Sequence, residues 1–236
     1  MSASQTRDKR WFSLKPVILT EVFPPVRSAE FPEYLKTMSL FQKLRFHITV
    51  NHMRDLPDTR REIAFVGRSN AGKSSALNTL ANHVRLAYVS KTPGRTQHIN
   101  YFSLGDDLYL VDLPGYGYAK VAISVKDKFQ KLISRYVLDR ENLYCLFVLI
   151  DVRHSPQKID LEFITWLGEN HIPFAIIFTK ADKLGKVSVA KSVGAYTQEL
   201  KKLWEELPPI LVSSSLDGTG RDEILEFIDN VNKTEE

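Results

Sequence analysis

The chain has 236 residues, of which 43% are hydrophobic and 25% charged, and its formal net charge is +4 at pH 7. These values exclude a wholly disordered, collagenous or disulfide-scaffolded chain and permit an anionic partner such as RNA without requiring one. The one cysteine, Cys145, lies in an apolar run, which favours a reducing compartment. The longest apolar stretches are too short for a membrane helix, so we expect a cytoplasmic protein with no membrane contact.

Residues 1–37 differ from the rest of the chain. They contain four of the 11 prolines, no glycine and no sustained helical or strand period. Two interpretations stay open: a mobile N-terminal extension, or a stretch that is not translated because the natural start is Met38. We expect residues 38–236 to form a single domain.

From Arg61 onward, short apolar runs alternate with helical patterns. The predicted strands are residues 63–66, 100–104, 108–111, 144–150, 174–178 and 210–212. The predicted helices are residues 73–80, 125–138, 159–167, 187–207 and 222–231. Residues 105–107, Gly-Asp-Asp, are typical of a hairpin between the second and third strands. The order predicts an α/β fold of three layers, with helices on both faces of a mostly parallel six-stranded sheet that has one antiparallel strand near an edge.

A phosphate-binding loop is predicted between the first strand and the first helix. The pattern G-x-x-x-x-G-K-[ST] is matched by Gly67, Arg68, Ser69, Asn70, Ala71, Gly72, Lys73 and Ser74. Glycines let the backbone turn its N–H groups toward phosphates, and the helix that follows adds the positive end of its dipole. Lys73 supplies a charge to the β- and γ-phosphates, and the Ser74 hydroxyl is a ligand for Mg²⁺. The loop predicts a nucleoside triphosphate but not which one.

A second phosphate-side motif follows the strand at 108–111. It consists of Asp112, Leu113, Pro114 and Gly115. The Asp112 carboxylate is placed to hold the Mg²⁺ shell, and the Gly115 N–H is placed to reach a γ-phosphate.

The base is read by a motif after the strand at 174–178. It consists of Thr179, Lys180, Ala181 and Asp182. The Asp182 carboxylate can accept hydrogen bonds from N1–H and the 2-amino group of guanine, whereas adenine offers neither donor. Ser213, Ser214 and Ser215 follow the last strand and can close the site with backbone N–H on the guanine O6. The predicted base is therefore guanine.

A polar loop at residues 90–100 is typical of a switch that orders around a γ-phosphate. Arg95, Lys91 and Arg85 give this loop a basic face. Thr96 is the residue that we place on Mg²⁺. An ordinary surface loop has the same composition.

The ordered motifs resemble those of the translation-factor class of P-loop GTPases with a Ras-like G domain, and the fuller strings resemble the bacterial EngB family. Those strings are GRSNAGKSS, TPGRTQ, DLPGYGYAK, DVRH and TKADKL, and the resemblance runs from about Phe41 to the C-terminus. It implies a GTPase that acts in assembly of the large ribosomal subunit, through rRNA and protein, and is needed for normal cell division and septation. The resemblance also implies that the first switch contacts the nucleotide through Gly94, Arg95, Thr96, Gln97 and His98. We expect a monomer with Mg²⁺ as cofactor.

The catalytic residues expected from the motifs are Lys73, Thr96, Gly115 and Asn70. Many GTPases place a water-orienting glutamine after Asp-x-x-Gly, but Tyr116 stands there, so we expect slow intrinsic hydrolysis. Asn70 resembles an asparagine that holds K⁺ in related GTPases, and stimulation by K⁺ is the resulting hypothesis. Its alternative is that Asn70 only caps the loop by local hydrogen bonds.

Other assignments stay open at this point. Tyr116 and Tyr118 fit either partner contact or packing, and Asp151, Arg153 and His154 fit a solvated loop better than a partner surface. Thr179 replaces the asparagine of many GTPases, so we expect a weaker tether to the phosphate loop. Rival functions are a metabolic P-loop kinase and a division-site scaffold with a structural nucleotide.

Overall fold

The computed structural model describes residues 41, 43–57, 60–82, 86–87, 98–116 and 123–233, with the backbone alone for 123–130. Its strands are β1 (Arg45–Val50), β2 (Arg61–Gly67), β3 (Ile99–Leu104), β4 (Leu108–Asp112), β5 (Leu143–Asp151), β6 (Phe174–Thr179) and β7 (Ile210–Val212). Its α-helices are α1 (Lys73–Leu80), α2 (Ile123–Asp139), α3 (Lys158–Glu169), α4 (Lys186–Leu200) and α5 (Arg221–Lys233). None of these helices is long and apolar enough to cross a membrane. The N-terminal extension predicted at 1–37 lies outside the described residues.

The strands form one sheet in the order β1-β3-β4-β2-β5-β6-β7. β3 is antiparallel to both of its neighbours, β1 and β4, whereas the pairs from β4 through β7 are parallel. The prediction of an α/β fold with a mostly parallel sheet and one reversed strand is confirmed. The predicted count of six strands is wrong, because β1 adds a seventh at the edge.

β1 is not among the predicted strands, although Phe46, Ile48 and Val50 alternate with polar residues in its sequence. Five of its six residues are exposed, including Phe46 at 53% and Ile48 at 41%. Its pairing with β3 is also irregular between Phe46 and Ile48. Of the three apolar residues of β1 only Val50 is buried, so the alternation belongs to an edge strand whose apolar face is largely exposed.

The core lies on both faces of the sheet, as the alternation of side chains along β2 illustrates. Ala64 and Val66 pack with residues of α2, α3 and α4, whereas Ile63 and Phe65 pack with α1 and α5. All four side chains are fully buried. This double burial fixes the register of β2, and the phosphate-binding loop begins at its last residue.

The start of β2 is held by a buried ion pair. Glu62 is fully buried, and both of its carboxylate oxygens accept hydrogen bonds from Arg140 Nε at 3.0 Å. The Tyr136 hydroxyl of α2 donates to Glu62 Oε2 at 2.5 Å. These charge-assisted bonds compensate the desolvation of the carboxylate and join β2 to α2 at the end opposite the phosphate-binding loop.

Helix α4 is shorter than the predicted 187–207, since it ends at Leu200. The chain then turns, and the Trp204 amide donates to the Leu200 carbonyl at 3.0 Å. The Trp204 ring packs near Phe174, with 6.2 Å between ring centroids, and lies where a Cβ on Gly168 would meet it at 2.6 Å. This tertiary packing, invisible to a helical period, accounts for the early end.

Candidate functional site

The motif residues that follow β2, β4, β6 and β7 come together at one edge of the sheet. These strands are parallel, so their carboxyl ends lie on the same side. The motif residues there are 67–74, 112–115, 179–182 and 213–215. In open α/β sheets this edge is where ligands bind, so the fold places the predicted phosphate and base residues on a suitable surface.

The phosphate-binding loop owes its path to two left-handed residues. Asn70 has φ 63° and Gly72 has φ 96°, and the latter precedes the first residue of α1. A Cβ at Gly67 would stand 2.7 Å from the Leu149 carbonyl oxygen, so this position too requires glycine. Among the residues that the structure describes, no side chain caps α1. Its first N–H groups are thus free to bind phosphate oxygens.

A buried carboxylate adjoins the loop at the end of β4. Asp112 is 3% exposed, and its Oδ1 has no hydrogen-bond donor among the described residues. Burial raises the pKa of Asp112, and the Lys73 ammonium opposes that rise. A buried carboxylate oxygen without a donor is suited to a hard cation, so the donor set of Asp112 and the Ser74 hydroxyl fits Mg²⁺.

The start of the second switch runs along the phosphate-binding loop. The Leu113 amide donates to the Phe65 carbonyl at 3.0 Å, and the Tyr116 amide donates to the Gly67 carbonyl at 3.3 Å. Residues 112–116 are all buried. The backbone of Gly115 is thereby held next to the loop on which the phosphates are expected.

The base motif is attached to the same loop through two consecutive carbonyls. The Thr179 hydroxyl donates to the Ala71 carbonyl at 2.6 Å, and Lys180 Nζ donates to the Asn70 carbonyl at 2.5 Å. Lys180 itself has a left-handed backbone, with φ 62°. Thr179 therefore does form the tether despite its short side chain, and these two hydrogen bonds join the base motif to the phosphate-binding loop.

We expect Thr179→Val to weaken this attachment. Valine keeps the shape of threonine but leaves the Ala71 carbonyl without its donor, which costs about 0.5–1.5 kcal/mol of stability. Mant-GDP titration should show an affinity about twofold to tenfold lower. Thr179→Ser retains the hydroxyl and is the matched control; a serine variant weaker than the valine variant would contradict the tether.

Asp182 is held by a hydrogen bond on one carboxylate oxygen and by an ion pair on the other. The Ser214 hydroxyl donates to Oδ1 at 3.0 Å, and Lys183 Nζ lies 2.7 Å from Oδ2. The Lys183 ammonium and the Ser214 hydroxyl hold the pKa of Asp182 below its usual range. The carboxylate is thus ionised and positioned, as hydrogen bonding to guanine N1–H and the 2-amino group requires.

The serine loop packs against the base motif. The Ala181 amide donates to the Ser213 carbonyl at 3.1 Å, while Ser213 and Ser214 are buried and Ser215 is exposed. Gly220 closes this loop with φ 74°, and a Cβ there would lie 1.8 Å from the Val212 carbonyl oxygen. The geometry brings Ser213 and Ser214 to the base side of the site, with Ser215 on its outer rim.

Sequence reasoning missed the role of Asp151. The side chain is only 9% exposed; it accepts two hydrogen bonds from the Arg153 guanidinium and one from the Arg153 amide, and Lys180 Nζ lies 2.8 Å from its Oδ2. These partners hold the pKa of Asp151 well below its usual range despite partial burial, which acts in the opposite direction. The interpretation as solvated loop is wrong for Asp151 because β5 and β6 are paired neighbours, which places it beside Lys180.

Tyr116 is a packing residue and does not offer an exposed surface to a partner. It is 5% exposed and stacks on Phe163 of α3 with 4.4 Å between ring centroids. Its hydroxyl donates to Asp160 Oδ1 at 3.0 Å. Tyr118, the other aromatic candidate, lies outside the described residues.

Most of the first switch also lies outside the described residues. This applies to Gly94, Arg95, Thr96 and Gln97. His98 is described as an exposed bend residue immediately before β3.

Comparison with known proteins supplies the family. A family model described as "50S ribosome-binding GTPase" matches residues 62–180. A probable GTP-binding protein EngB of Porphyromonas gingivalis is 52% identical over 193 residues, which cover 81% of this chain and 96% of that protein. Another of Flavobacterium psychrophilum is 56% identical over 173 residues, covering 73% and 84% respectively.

Solved structures agree on the fold. A crystal structure of a probable GTP-binding protein engB has a TM-score of 0.60 at 21% identity and covers 73% of this chain and 98% of its own. A structure of Era in complex with MgGDPNP and nucleotides 1506–1542 of 16S ribosomal RNA also has a TM-score of 0.60, at 20% identity, over 76% of this chain and 59% of its own. The sequence relatives and the P-loop geometry together establish that this chain belongs to the EngB family of GTP-binding proteins, a family of P-loop GTPases.

Proposed function

We propose that this protein is a switch that hydrolyses GTP to GDP and phosphate and assists assembly of the large ribosomal subunit. The observation that carries the guanine part is the ionised Asp182 carboxylate, which Ser214 and Lys183 hold in place. The ribosomal part rests on the matching family, described as a 50S ribosome-binding GTPase. A role in normal cell division and septation follows if impaired ribosome production disturbs division.

In this proposal, different residues of the site bind the phosphates, the γ-phosphate and the base. Backbone N–H groups of residues 67–74 and the start of α1 bind the phosphates, with the Lys73 ammonium on the β- and γ-phosphates. Gly115 senses the γ-phosphate through its N–H, and we place Thr96 in the same role on the first switch. Lys180 lays its aliphatic stem along the base, while its ammonium is held by the Asn70 carbonyl and Asp151.

Mg²⁺ completes the site in this proposal. Ser74 and Thr96 would ligate it, and Asp112 would hold its shell. When bound, the ion neutralises charge on the β- and γ-phosphate oxygens. The buried Asp112 Oδ1, which has no hydrogen-bond donor in the described part of the chain, supports this assignment, since the adjacent Lys73 favours its ionised form.

Slow intrinsic hydrolysis follows from the residue after Gly115. The Tyr116 ring is directed into the protein, where its hydroxyl binds Asp160, so this side chain does not orient an attacking water. We propose that K⁺, held by Asn70, helps to neutralise the negative charge that develops between the β- and γ-phosphates during hydrolysis. Asn70 is exposed, and its amide makes no hydrogen bond to another described residue, which supports a ligand role over a local cap.

Comparing GTP hydrolysis in KCl and NaCl, with large subunits present in both, tests the potassium proposal. We expect faster hydrolysis in KCl and loss of that difference in Asn70→Ala. Lys186→Ala, at an exposed position on α4, is the control that keeps the difference. Equal rates of the wild type in the two salts would refute the role of K⁺.

The partners proposed are GTP, GDP and the rRNA and protein of the large subunit or its precursor, bound by a cytoplasmic monomer. The test is GTP turnover with added large subunits, with small subunits and ATP as controls. Turnover that large subunits stimulate and small subunits do not, and that requires GTP and does not occur with ATP, supports the switch. Turnover that is unaffected by large subunits favours the division-site scaffold, and equal use of ATP favours a metabolic kinase.

A further inference from the structure

Tyr116 is held both by its backbone amide and by its side chain. It directly follows Gly115, the residue of the second switch that we propose binds the γ-phosphate. Its amide donates to the Gly67 carbonyl at 3.3 Å, which joins the second switch to the phosphate-binding loop. Its ring stacks on Phe163 with an interplanar angle of 23°, and its hydroxyl donates to Asp160 Oδ1 at 3.0 Å. A displacement of Gly115 would therefore disturb Tyr116, whose side chain contacts α3.

Asp160 collects contacts from three parts of the molecule. It lies in the first turn of α3, is 2% exposed and binds the second switch through Tyr116. Its Oδ2 accepts a hydrogen bond from the Tyr196 hydroxyl of α4 at 3.1 Å and lies 4.0 Å from Arg68 Nη1 of the phosphate-binding loop. Burial raises the pKa of Asp160, and the Tyr116 hydroxyl, the Arg68 guanidinium and the Tyr196 hydroxyl oppose that rise.

A buried carboxylate of this kind is costly unless its partners remain in place. Two of its partners, Arg68 and Tyr116, belong to segments that meet the phosphates, and these two residues also pair with each other through their backbones. The third partner, Tyr196, belongs to a helix distant in sequence from both segments. The Asp160 carboxylate thus connects α3 and α4 to the phosphate-binding loop and to the second switch.

We propose that Asp160 is a positioning residue for the second switch and that, through the Tyr116 hydroxyl, it preorganises Gly115 beside the phosphate-binding loop for the triphosphate state. This inference rests on the proposed GTP switch. GDP lacks the γ-phosphate that Gly115 would bind, so the preorganisation favours GTP over GDP. The preference between the two nucleotides is therefore the property that Asp160 controls.

The test uses Tyr116→Phe, which keeps the stacked ring and removes only the hydroxyl. We expect the affinity for a non-hydrolysable GTP analogue to fall about threefold to tenfold, with GDP affinity within about twofold of the wild type. Asp160→Asn should shift the ratio in the same direction, and the double variant should add little to either. Competition titrations against mant-GDP, without ribosomes, give the affinities of the wild type and of each variant for the GTP analogue and for GDP.

Tyr196→Phe is the matched control, because it removes a hydroxyl from the same carboxylate without touching the second switch. It should lower thermal stability but leave the ratio of the two affinities unchanged. Tyr116→Phe with an unchanged ratio, or with a ratio that shifts toward GTP, would overturn the proposal. Retained GDP binding in that variant would show that the nucleotide site itself stands.

Discussion

Asp182→Asn is expected to exchange guanine for xanthine specificity. The wild-type carboxylate accepts two hydrogen bonds from guanine, and the amide of asparagine would instead face the 2-amino group with a donor. Losing two charge-assisted hydrogen bonds costs about 3–6 kcal/mol, so GDP affinity should fall about 10²- to 10⁴-fold. Xanthine carries a carbonyl group where guanine carries its 2-amino group. The asparagine amide can donate to that carbonyl, so XDP affinity should rise. Competition against mant-labelled GDP and XDP measures both.

The geometry favours a folded Asp182→Asn protein. Asparagine Oδ1 can still accept the Ser214 hydroxyl, and only the ion pair to Lys183 is lost. Asp217→Asn, an exposed residue of the adjacent serine loop, is the matched control and should keep GDP preference. A variant that loses GDP without gaining XDP would mean that residue 182 supports the loop without reading the base.

Lys73→Ala is expected to have the second large effect, on phosphate binding. Lys73 is 9% exposed, and truncating one partner of a buried charge pair costs about 2–5 kcal/mol. Affinity for GDP and GTP should therefore fall about 30- to 4000-fold. Because we place the ammonium on the β- and γ-phosphates, GMP affinity should change far less. Titration with GMP, GDP and a GTP analogue separates these values.

The same substitution changes the environment of Asp112. Without the Lys73 ammonium, nothing among its described neighbours opposes the rise of the Asp112 pKa that burial causes.

Lys186→Ala, at an exposed position on α4, is the control for Lys73→Ala and should bind all three nucleotides normally. An equal loss for GMP and GDP would contradict the placement of Lys73 on the outer phosphates.

The fold class and the P-loop could be predicted because the signals are local. The buried strands β2, β5 and β6 are continuous apolar runs, and the glycines at 67 and 72 stand at a fixed spacing before Lys73. The parallel arrangement then brings the motif residues of four strand ends together without further information. Such features depend on chain order and periodicity, which a sequence carries explicitly.

The remaining features depend on contacts between distant segments. Asp151 meets Lys180 because β5 pairs with β6, and Tyr116 is buried in the core with Phe163 of α3 stacked on its ring. Asp160 reads as an ordinary acidic residue in a first helical turn, although it is 2% exposed. Edge strand β1 differs, because its apolar residues do alternate with polar ones, yet Phe46 and Ile48 are exposed and its place in the sheet depends on pairing with β3.

Co-sedimentation with purified large ribosomal subunits tests the central claim most directly, and the Asp182→Asn variant sharpens it. The wild type should bind with a non-hydrolysable GTP analogue and not with GDP, whereas Asp182→Asn should bind with the xanthine analogue and not with the GTP analogue. That exchange would tie ribosome binding to the base held by residue 182. Equal binding in every nucleotide state, or no binding in any, would contradict a nucleotide-controlled ribosomal switch.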